Sequence, residues 1–397
     1  MSWSELSLGE ALHIKHGFAF KSKFFSGIGK YVVLTPGNFN EEGGFRLRLE
    51  KDRFYSGDIP DGYILEEGDL IIAMTEQGPG LLGSPAIIPV GDKYLHNQRL
   101  GLIDRLDEGL LDKQFLYYLF NTRMVRGQIS GSASGTKVKH TSPERIYRVK
   151  VNVPDISDQR KIAMILSTYD KLIENNQRRI HLLEHSSRLL YREWFVHLRF
   201  PGHEHVKITD GVPEGWGRKK LGELAEVTMG QSPKSQYYND VGEGLPFHQG
   251  VTDFGDRFVS HRIYCTVQNR VAGAGDIICS VRAPVGRLNI TLDKIVIGRG
   301  LAALRSKSGH KSMLFQQLRT HFFKEDLIGA GTIFCSVTKK EFETQEILNP
   351  PTYLTNAFED VSLPLDEQIR VLSMQNQKLQ AARDLLLPRL MNGEIAV

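Results

Sequence analysis

The sequence of 397 residues predicts two copies of one α/β (mixed α+β) globular domain. Two long antiparallel helices, forming a coiled-coil rod with pseudo-twofold symmetry, separate them. Three observations carry this. Trp3, Leu8, Gly9, Glu10, Gly17 and Gly37 recur at a constant offset as Trp216, Leu221, Gly222, Glu223, Gly230 and Gly250. Each copy mixes short β-type runs with helical stretches, and each is followed by apolar residues at the three-and-four spacing of a helix seam.

The offset holds inside motifs and shrinks between them, as when duplicated domains absorb length changes in loops. Gly68-Asp69 returns as Gly275-Asp276, and Gly135-Thr136 with Pro154 returns as Gly331-Thr332 with Pro350. Residues 31–34 before Pro36-Gly37, and 69–73 after Glu67-Gly68, read as strands bounded by turn signals. Residues 114–122 and 313–323 read as helices, so each copy is an α/β or α+β unit. The division predicted is a first domain at 1–154, a central helix at 155–200, a second domain at 201–352 and a C-terminal helix at 353–397.

The central seam runs through Ile162, Ile165, Tyr169, Leu172, Asn176, Ile180, Leu183, Ser187, Leu190 and Trp194, with no Gly or Pro inside it. Such a heptad-like stripe needs a helical partner, and Pro201-Gly202 ends it. The second seam is Leu365, Ile369, Leu372, Asn376, Leu379, Arg383, Leu386 and Leu390, opened by Asp366-Glu367-Gln368 much as Ser157-Asp158-Gln159 opens the first. Pro388 is expected to kink its last turn. Each helix supplies the partner that the other lacks. The antiparallel register that sets Ile162 against Leu390 also sets Asn176 against Asn376, where a buried asparagine pair would fix the alignment; the alternative is that Asn176 is solvated beside Asn175.

Composition excludes more than it selects. Fifty Lys and Arg against 46 Asp and Glu leave a net charge of +4, a weak argument for a polyanionic partner. The basic residues cluster locally, as at Lys137, Lys139, Arg145, Arg148 and Lys150 around His140, a run that a solvated surface explains equally well. Cys265, Cys279 and Cys335 have no metal-knuckle or disulfide-framework spacing and fit a reducing compartment. The N-terminal residues carry no leader pattern, and no apolar run of about 18 residues occurs. Gly78-Pro79-Gly80-Leu81-Leu82-Gly83 matches a dinucleotide-loop pattern, yet β-type residues follow it instead of a helix. Asn349-Pro350-Pro351-Thr352 lacks the aromatic with which an amino-methyltransferase stacks its base. There is no phosphate loop and no E-x-K nuclease tripeptide. His181 and His185 stand four apart without a third ligand and read as helix-surface residues.

Several motifs together resemble the specificity subunits of type I restriction-modification systems. They are the W-x-x-x-x-L-G-E openings at Trp3 and Trp216, GFAFK from Gly17 to Lys21, Gly230-Gln231-Ser232-Pro233, and Gln249-Gly250-Val251-Thr252-Asp253-Phe254. The paired Gly-Asp-apolar runs, Asp158-Gln159-Arg160 and the closing LLLPRLMNGEI at 385–395 complete the set. The resemblance spans essentially the whole chain. It implies a non-catalytic protein whose two target-recognition domains each read one half of a bipartite, asymmetric site in double-stranded DNA. It also implies that the helices act as a ruler and dock two modification (methyltransferase) subunits. Those partners would bring S-adenosylmethionine and flip an adenine, and restriction (translocase/nuclease) subunits would use ATP and Mg. This chain would hold no cofactor or metal and would act in the cytoplasm without a membrane.

No shared motif fixes the base-contacting positions, so the DNA-binding candidates follow from residue type and context. In the first domain they are Lys21, Lys23, Gln77, Arg99, Lys137, Lys139 and His140. In the second they are Gln231, Lys234, Gln249, Arg282, Arg299, Lys339 and Lys340. Arg99 and Arg299 stand in comparable places, each before an apolar run. Gly9, Gly222, Trp3 and Trp216 read as fold-makers. A stand-alone adenine methyltransferase and a coiled-coil scaffold are the competing readings. The missing cofactor loop counts against the first, and two elaborate domains exceed what the second needs.

Overall fold

The computed structural model describes residues 3–48, 52–76, 80–135, 138–322 and 337–397. The chain forms two compact units: residues 1–175 with 375–397, and residues 176–374.

In the first unit, Trp3–Ser7 pairs antiparallel with Lys150–Pro154. An antiparallel sheet follows in the order Leu12–His16, Leu100–Leu106, Leu70–Ala73, Pro85–Ile87. A smaller sheet joins Phe25–Ser26, Phe54–Tyr55, Tyr31–Val33 and Tyr94–Leu95, the last two parallel. Helices α1 (Lys113–Phe120), α2 (Arg123–Gly131) and α3 (Pro143–Tyr147) complete the globular part. Asp112 and Thr122 cap α1 and α2 by accepting the amides of Phe115 and Val125, as short polar side chains do at helix starts. Leu8, Leu70, Ile72, Phe115, Leu119 and Ile146 are among the buried core.

The second unit repeats this plan. Gly217–Lys220 pairs with Glu346–Asn349, and the order Ala225–Met229, Leu301–Ser306, Ile277–Ser280, Leu288–Ile290 repeats the main sheet. In its small sheet, Leu245–His248 runs parallel to Ile295–Ile297, as Tyr31–Val33 does to Tyr94–Leu95. A long helix α4 (Ile156–Tyr191) precedes this unit's α5 (Lys311–Phe322) and α6 (Lys339–Glu343). Individual bonds repeat too: the Leu8 amide donates to Val149, and the Leu221 amide to Gln345. Gly9 lies against Tyr147, where an added Cβ would come within 2.6 Å, and Trp216 is buried among Phe195, Phe200 and Phe358. These are the packing roles expected of the repeated Gly and Trp.

Helix α4 has 36 residues and ends in a π turn at Arg192–Val196. Helix α7 (Thr352–Met391) has 40. At about 1.5 Å per residue these are roughly 54 and 60 Å long. α7 begins at Thr352, ahead of the seam that Asp366-Glu367-Gln368 opens, so Leu354, Phe358 and Ser362 extend its buried stripe. It also continues through Pro364 and Pro388.

Within the first unit, α4 and α7 run antiparallel: Asp170 meets Arg383 at 2.7 Å, and Ile173 meets Asn376 at 3.3 Å. Within the second, the Tyr191 ring packs on Phe358, and Glu184 and Asp366 share one arginine. The α7 seam follows the predicted positions. The α4 seam takes Leu166 and Ile173 in place of Ile165 and Leu172, leaving Leu172 46% exposed. The alternation there is four-then-three, which the 3.6-residue helix accommodates as well as three-then-four. Asn176 and Asn376 are each 7% exposed, so Asn176 is not a solvated neighbour of Asn175, and Asn376 donates to the Ile173 carbonyl.

Candidate nucleic-acid interface

In each unit one end of the main sheet gathers four segments. In the first, the Gly17 amide donates to Leu100 O, Phe18 N to His96 O and Gln98 N to Phe18 O, which clamps the turn at 96–100 against the Gly17 loop. The approach is so close that a Cβ on Gly17 would lie 1.9 Å from Asn97 O, so only glycine fits. Met74 N then bonds Arg99 O, Thr141 N bonds Met74 O and Glu76 N bonds Lys139 O. His140 Nδ1 lies 3.1 Å from Thr75 Oγ1. Arg99, Lys139 and His140 are thereby brought together, all exposed.

The second unit builds the same end. Gly230 N donates to Leu301 O and Gln231 N to Ile297 O, and a Cβ on Gly230 would lie 2.1 Å from Gly298 O. Ser232 Oγ accepts the Arg299 amide and donates to Gln249 Oε1. Val281 N bonds Gly300 O and Val337 N bonds Val281 O, which sets Arg282 and the entry to α6, with Lys339 and Lys340, beside the turn. Gln231, Gln249, Arg282, Arg299, Lys339 and Lys340 are exposed; Lys339 is 3.5 Å from Glu343.

Other candidates lie apart or outside view. Lys21 precedes and Lys23 lies within the 3-10 turn Ser22–Phe24 ahead of the small sheet, with the Lys23 ammonium 4.8 Å from the Phe24 ring centre. Lys234 precedes the corresponding turn Ser235–Tyr237. Gln77 and Lys137, like Cys335, lie outside the described residues.

Matching bonds also refine one equivalence. Met74 N bonds the carbonyl of Arg99 while Val281 N bonds that of Gly300, and Leu100 N bonds Asn97 O as Leu301 N bonds Gly298 O. The residue standing where Arg299 stands is therefore Gln98, and Arg99 is one step further on. Sequence reasoning passed over Gln98; aligning the two turns on Leu100 and Leu301 would have found it.

Buried histidines support both turns. His96 Nε2 lies 3.0 Å from Leu100 O across the turn, and burial pushes its pKa down to about 4. His248 accepts the Gly298 amide on its carbonyl, and its Nε2 is 3.0 Å from His261 Nδ1. Its pKa falls to about 4 through burial first and then the neighbouring His261. Both rings are neutral near pH 7 and act as fixed hydrogen-bonding struts.

Cys265 and Cys279 are buried, and burial pushes the Cys279 thiol upward. No cluster of three His, Cys, Asp or Glu suits a metal among the described residues. The His181 and His185 rings stack on each other. Among the described residues, no helix is long and apolar enough to cross a membrane.

Residues 2–185 and 213–355 match the type I restriction modification DNA specificity domain, once in each half. The chain is 30% identical over 364 residues to the type I restriction enzyme MjaX specificity subunit of Methanocaldococcus jannaschii, covering 88% of this chain and 81% of that protein. It is 22% identical to the HindI specificity subunit of Haemophilus influenzae, over 77% of this chain and 82% of that one. The type I restriction-modification S subunit from M. genitalium shares the fold, with a TM-score of 0.62 at 15% identity over 98% of this chain and 96% of that one. With the specificity domain matched in both halves and the sheet order repeated in both units, this chain belongs to the family of type I restriction-modification DNA specificity subunits.

Proposed function

We propose that the chain is the non-catalytic, sequence-reading subunit of a cytoplasmic type I restriction-modification complex. Each unit reads one half of a bipartite, asymmetric DNA target through the sheet end built on Gly17 or Gly230. The observation that carries this is one backbone frame presenting different exposed chemistry: Gln98 and Arg99 beside Lys139 and His140 in one unit, Arg299 beside Gln231, Gln249 and Arg282 in the other. Gln is suited to adenine and Arg to guanine in the major groove, so unlike turns on a shared scaffold are what an asymmetric site requires. Lysines nearby hold phosphates.

The long helices set the distance between half-sites and dock two modification subunits. S-adenosylmethionine belongs to those partners, and ATP and Mg belong to restriction subunits. The test is reconstitution with a modification subunit and mapping of methylated adenines. The pair should methylate a bipartite site that neither component methylates alone, and Arg299→Ala should relax one position of one half-site. Methylation by this chain alone would sink the non-catalytic assignment. Unchanged specificity in Arg299→Ala would remove that residue from the interface.

A further inference from the structure

The two units differ most instructively behind the reading end, at a hairpin that packs toward the long helices. In the second unit this hairpin follows Val251–Asp253 and pairs Phe254 with Val259. Arg257, at its tip, is 4% exposed. Its guanidinium lies 4.4 Å from the Phe315 ring centre on α5, 2.5 Å from Asp366 on α7 and 3.6 Å from Glu184 on α4. An aromatic face and two carboxylates enclose one guanidinium.

In the first unit the same hairpin follows Pro36–Asn38 and pairs Phe39 with Phe45. Tyr117 stands on α1 where Phe315 stands on α5, and Asp170 follows Pro154 at the distance at which Asp366 follows Pro350. The tip, however, is Glu41-Glu42-Gly43-Gly44 and sends no cation inward. A Cβ on Gly44 would lie 3.6 Å from the Tyr117 hydroxyl, so the tip reaches the end of that side chain. A Cβ on Gly43 would collide with Asn121, and the side chains the tip presents to the space are those of Glu41 and Glu42. What remains is a cavity of about 910 Å³ lined by Glu41, Glu42, Tyr117, Met124, Asp170 and Arg383, among others.

The charges facing it are unequally committed. Arg126 spends its donors on the carbonyls of Glu41, Gly80, Leu82 and Phe120 and on Asn121. Arg383 is held by Asp170 at 2.7 Å and Asp384 at 2.8 Å, with Glu42 further off at 3.9 Å. Among the described residues, Glu41 has no ion-pair partner, and the Glu42 side chain is 80% exposed.

We propose that this cavity is a docking pocket for an arginine side chain presented by a protein partner, the intermolecular counterpart of Arg257. The guanidinium stacks on Tyr117 and pairs with Glu41 and Glu42, using the planar, multi-donor geometry that distinguishes arginine from lysine. Four carboxylates (Glu41, Glu42, Asp170, Asp384) against three guanidiniums (Arg123, Arg126, Arg383) line the cavity, and a single arginine anchored in a formed pocket is a typical centre of binding energy between proteins. Only the partner's identity, a modification subunit, rests on the function proposed above.

The test has two arms on the full chain. In the first, N-acetyl-arginine methylamide is titrated and heteronuclear NMR follows resonances of the Tyr117 neighbourhood. The lysine analogue serves as control, and DNA binding in the absence of partners reports separately on the reading heads. Saturable shifts with arginine, at least fivefold weaker with lysine and lost in the surface variant Glu41→Gln/Glu42→Gln, are expected. Absence of binding, no preference over lysine, or full binding by that variant would overturn the pocket. In the second arm, Glu41→Gln/Glu42→Gln should weaken association with the modification subunit at least tenfold, with unfolding temperature and DNA affinity unchanged. Undiminished association would overturn the docking role. Because DNA affinity and adenine methylation are read independently, failure of the pocket leaves a signature different from failure of the recognition function.

Discussion

Replacing Arg257 by alanine should destabilise the second unit sharply. The side chain is 3% exposed, and Asp366 and Glu184, its carboxylate partners, are 18% and 22% exposed. Truncation leaves two poorly solvated carboxylates facing each other near Glu359 and removes the guanidinium from the Phe315 face. Breaking one side of such a buried pair costs about 3–5 kcal/mol. For a unit of this size each kcal/mol lowers the unfolding temperature by about 2–4 °C, so a drop of roughly 6–20 °C is expected. Trp194 and Trp216 lie in this unit and Trp3 in the other; in a Trp3→Phe background, tryptophan fluorescence during urea unfolding isolates it. The pH dependence has a defined sign. Burial already raises the Asp366 carboxyl above its usual 3.8, against the pull of Arg257. A carboxyl raised on folding favours the folded state when protonated, and that contribution is lost as pH rises through the folded value. Without Arg257 the carboxyl rises further, so the deficit should be smaller at pH 5 than at pH 8. Arg257→Met combined with Asp366→Asn should restore stability to within about 1 kcal/mol, because removing both charges also removes their desolvation cost. A loss below about 1 kcal/mol in Arg257→Ala, or one that grows on acidification, would refute the reasoning.

Gly230→Ala should cost about 2–3 kcal/mol in urea unfolding, since its new Cβ would meet the Gly298 carbonyl at 2.1 Å in a packed environment, and Gly17→Ala should behave alike in the first unit. Gly250→Ala, where a Cβ would meet nothing within 4 Å, should stay within about 0.5 kcal/mol. His248, depressed to about 4, contributes stability that is present above pH 6.5 and lost as pH falls from there toward 4, on the order of 3 kcal/mol; His248→Gln should flatten the slope of second-unit stability across that window. Lys139→Ala should weaken binding to all DNA sequences and reduce the salt slope by about one, whereas Arg299→Ala should cost about 1–3 kcal/mol on the cognate site alone; filter binding across a salt series separates the two.

The duplication was legible because it rests on residues with no substitute. Gly17 and Gly230 sit where backbone meets backbone, and Gly9 and Gly222 sit where helix meets helical turn, so the repeat survives in letters. The α7 seam was legible for the same reason: a buried stripe must be apolar at nearly every step. The α4 seam was misplaced by one position between Ile162 and Asn176, because Ile165 and Leu172 are as apolar as Leu166 and Ile173, and only packing chooses between them. The first turns of the α7 stripe, through Leu354, Phe358 and Ser362, were left out of the seam because Pro364 and the polar Asp366-Glu367-Gln368 look like a beginning. Gln98 escaped notice because its correspondence with Arg299 lies in which carbonyl the Met74 and Val281 amides donate to, a register that residue types do not record. The Arg257, Asp366 and Glu184 cluster joins a hairpin to two helices far apart in sequence, and no local pattern announces it.

That cluster, set beside its counterpart, shows how one ancestral frame can be closed in two ways. Both units need a cation over the helix-borne aspartate, because Asp170 and Asp366 are too enclosed to stand alone. The second unit takes it from its own hairpin, and Arg257 thereby fills the space over Phe315. The first takes it from the long helix, where Arg383 meets Asp170 and Tyr118 donates to the other carboxylate oxygen. With Arg383 on the aspartate, the hairpin supplies no cation there. Its tip carries two glutamates and two glycines, and an open cavity lies over Tyr117. Under the proposed function, divergence of the turns at Gln98 and Arg299 alters which bases are met, while divergence of this hairpin alters which side chain completes the wall. If the two choices are independent, Glu41→Gln/Glu42→Gln should leave the methylated sequence unchanged even where it weakens assembly. A shift in the mapped target site would show that the cavity and the reading turn are energetically coupled.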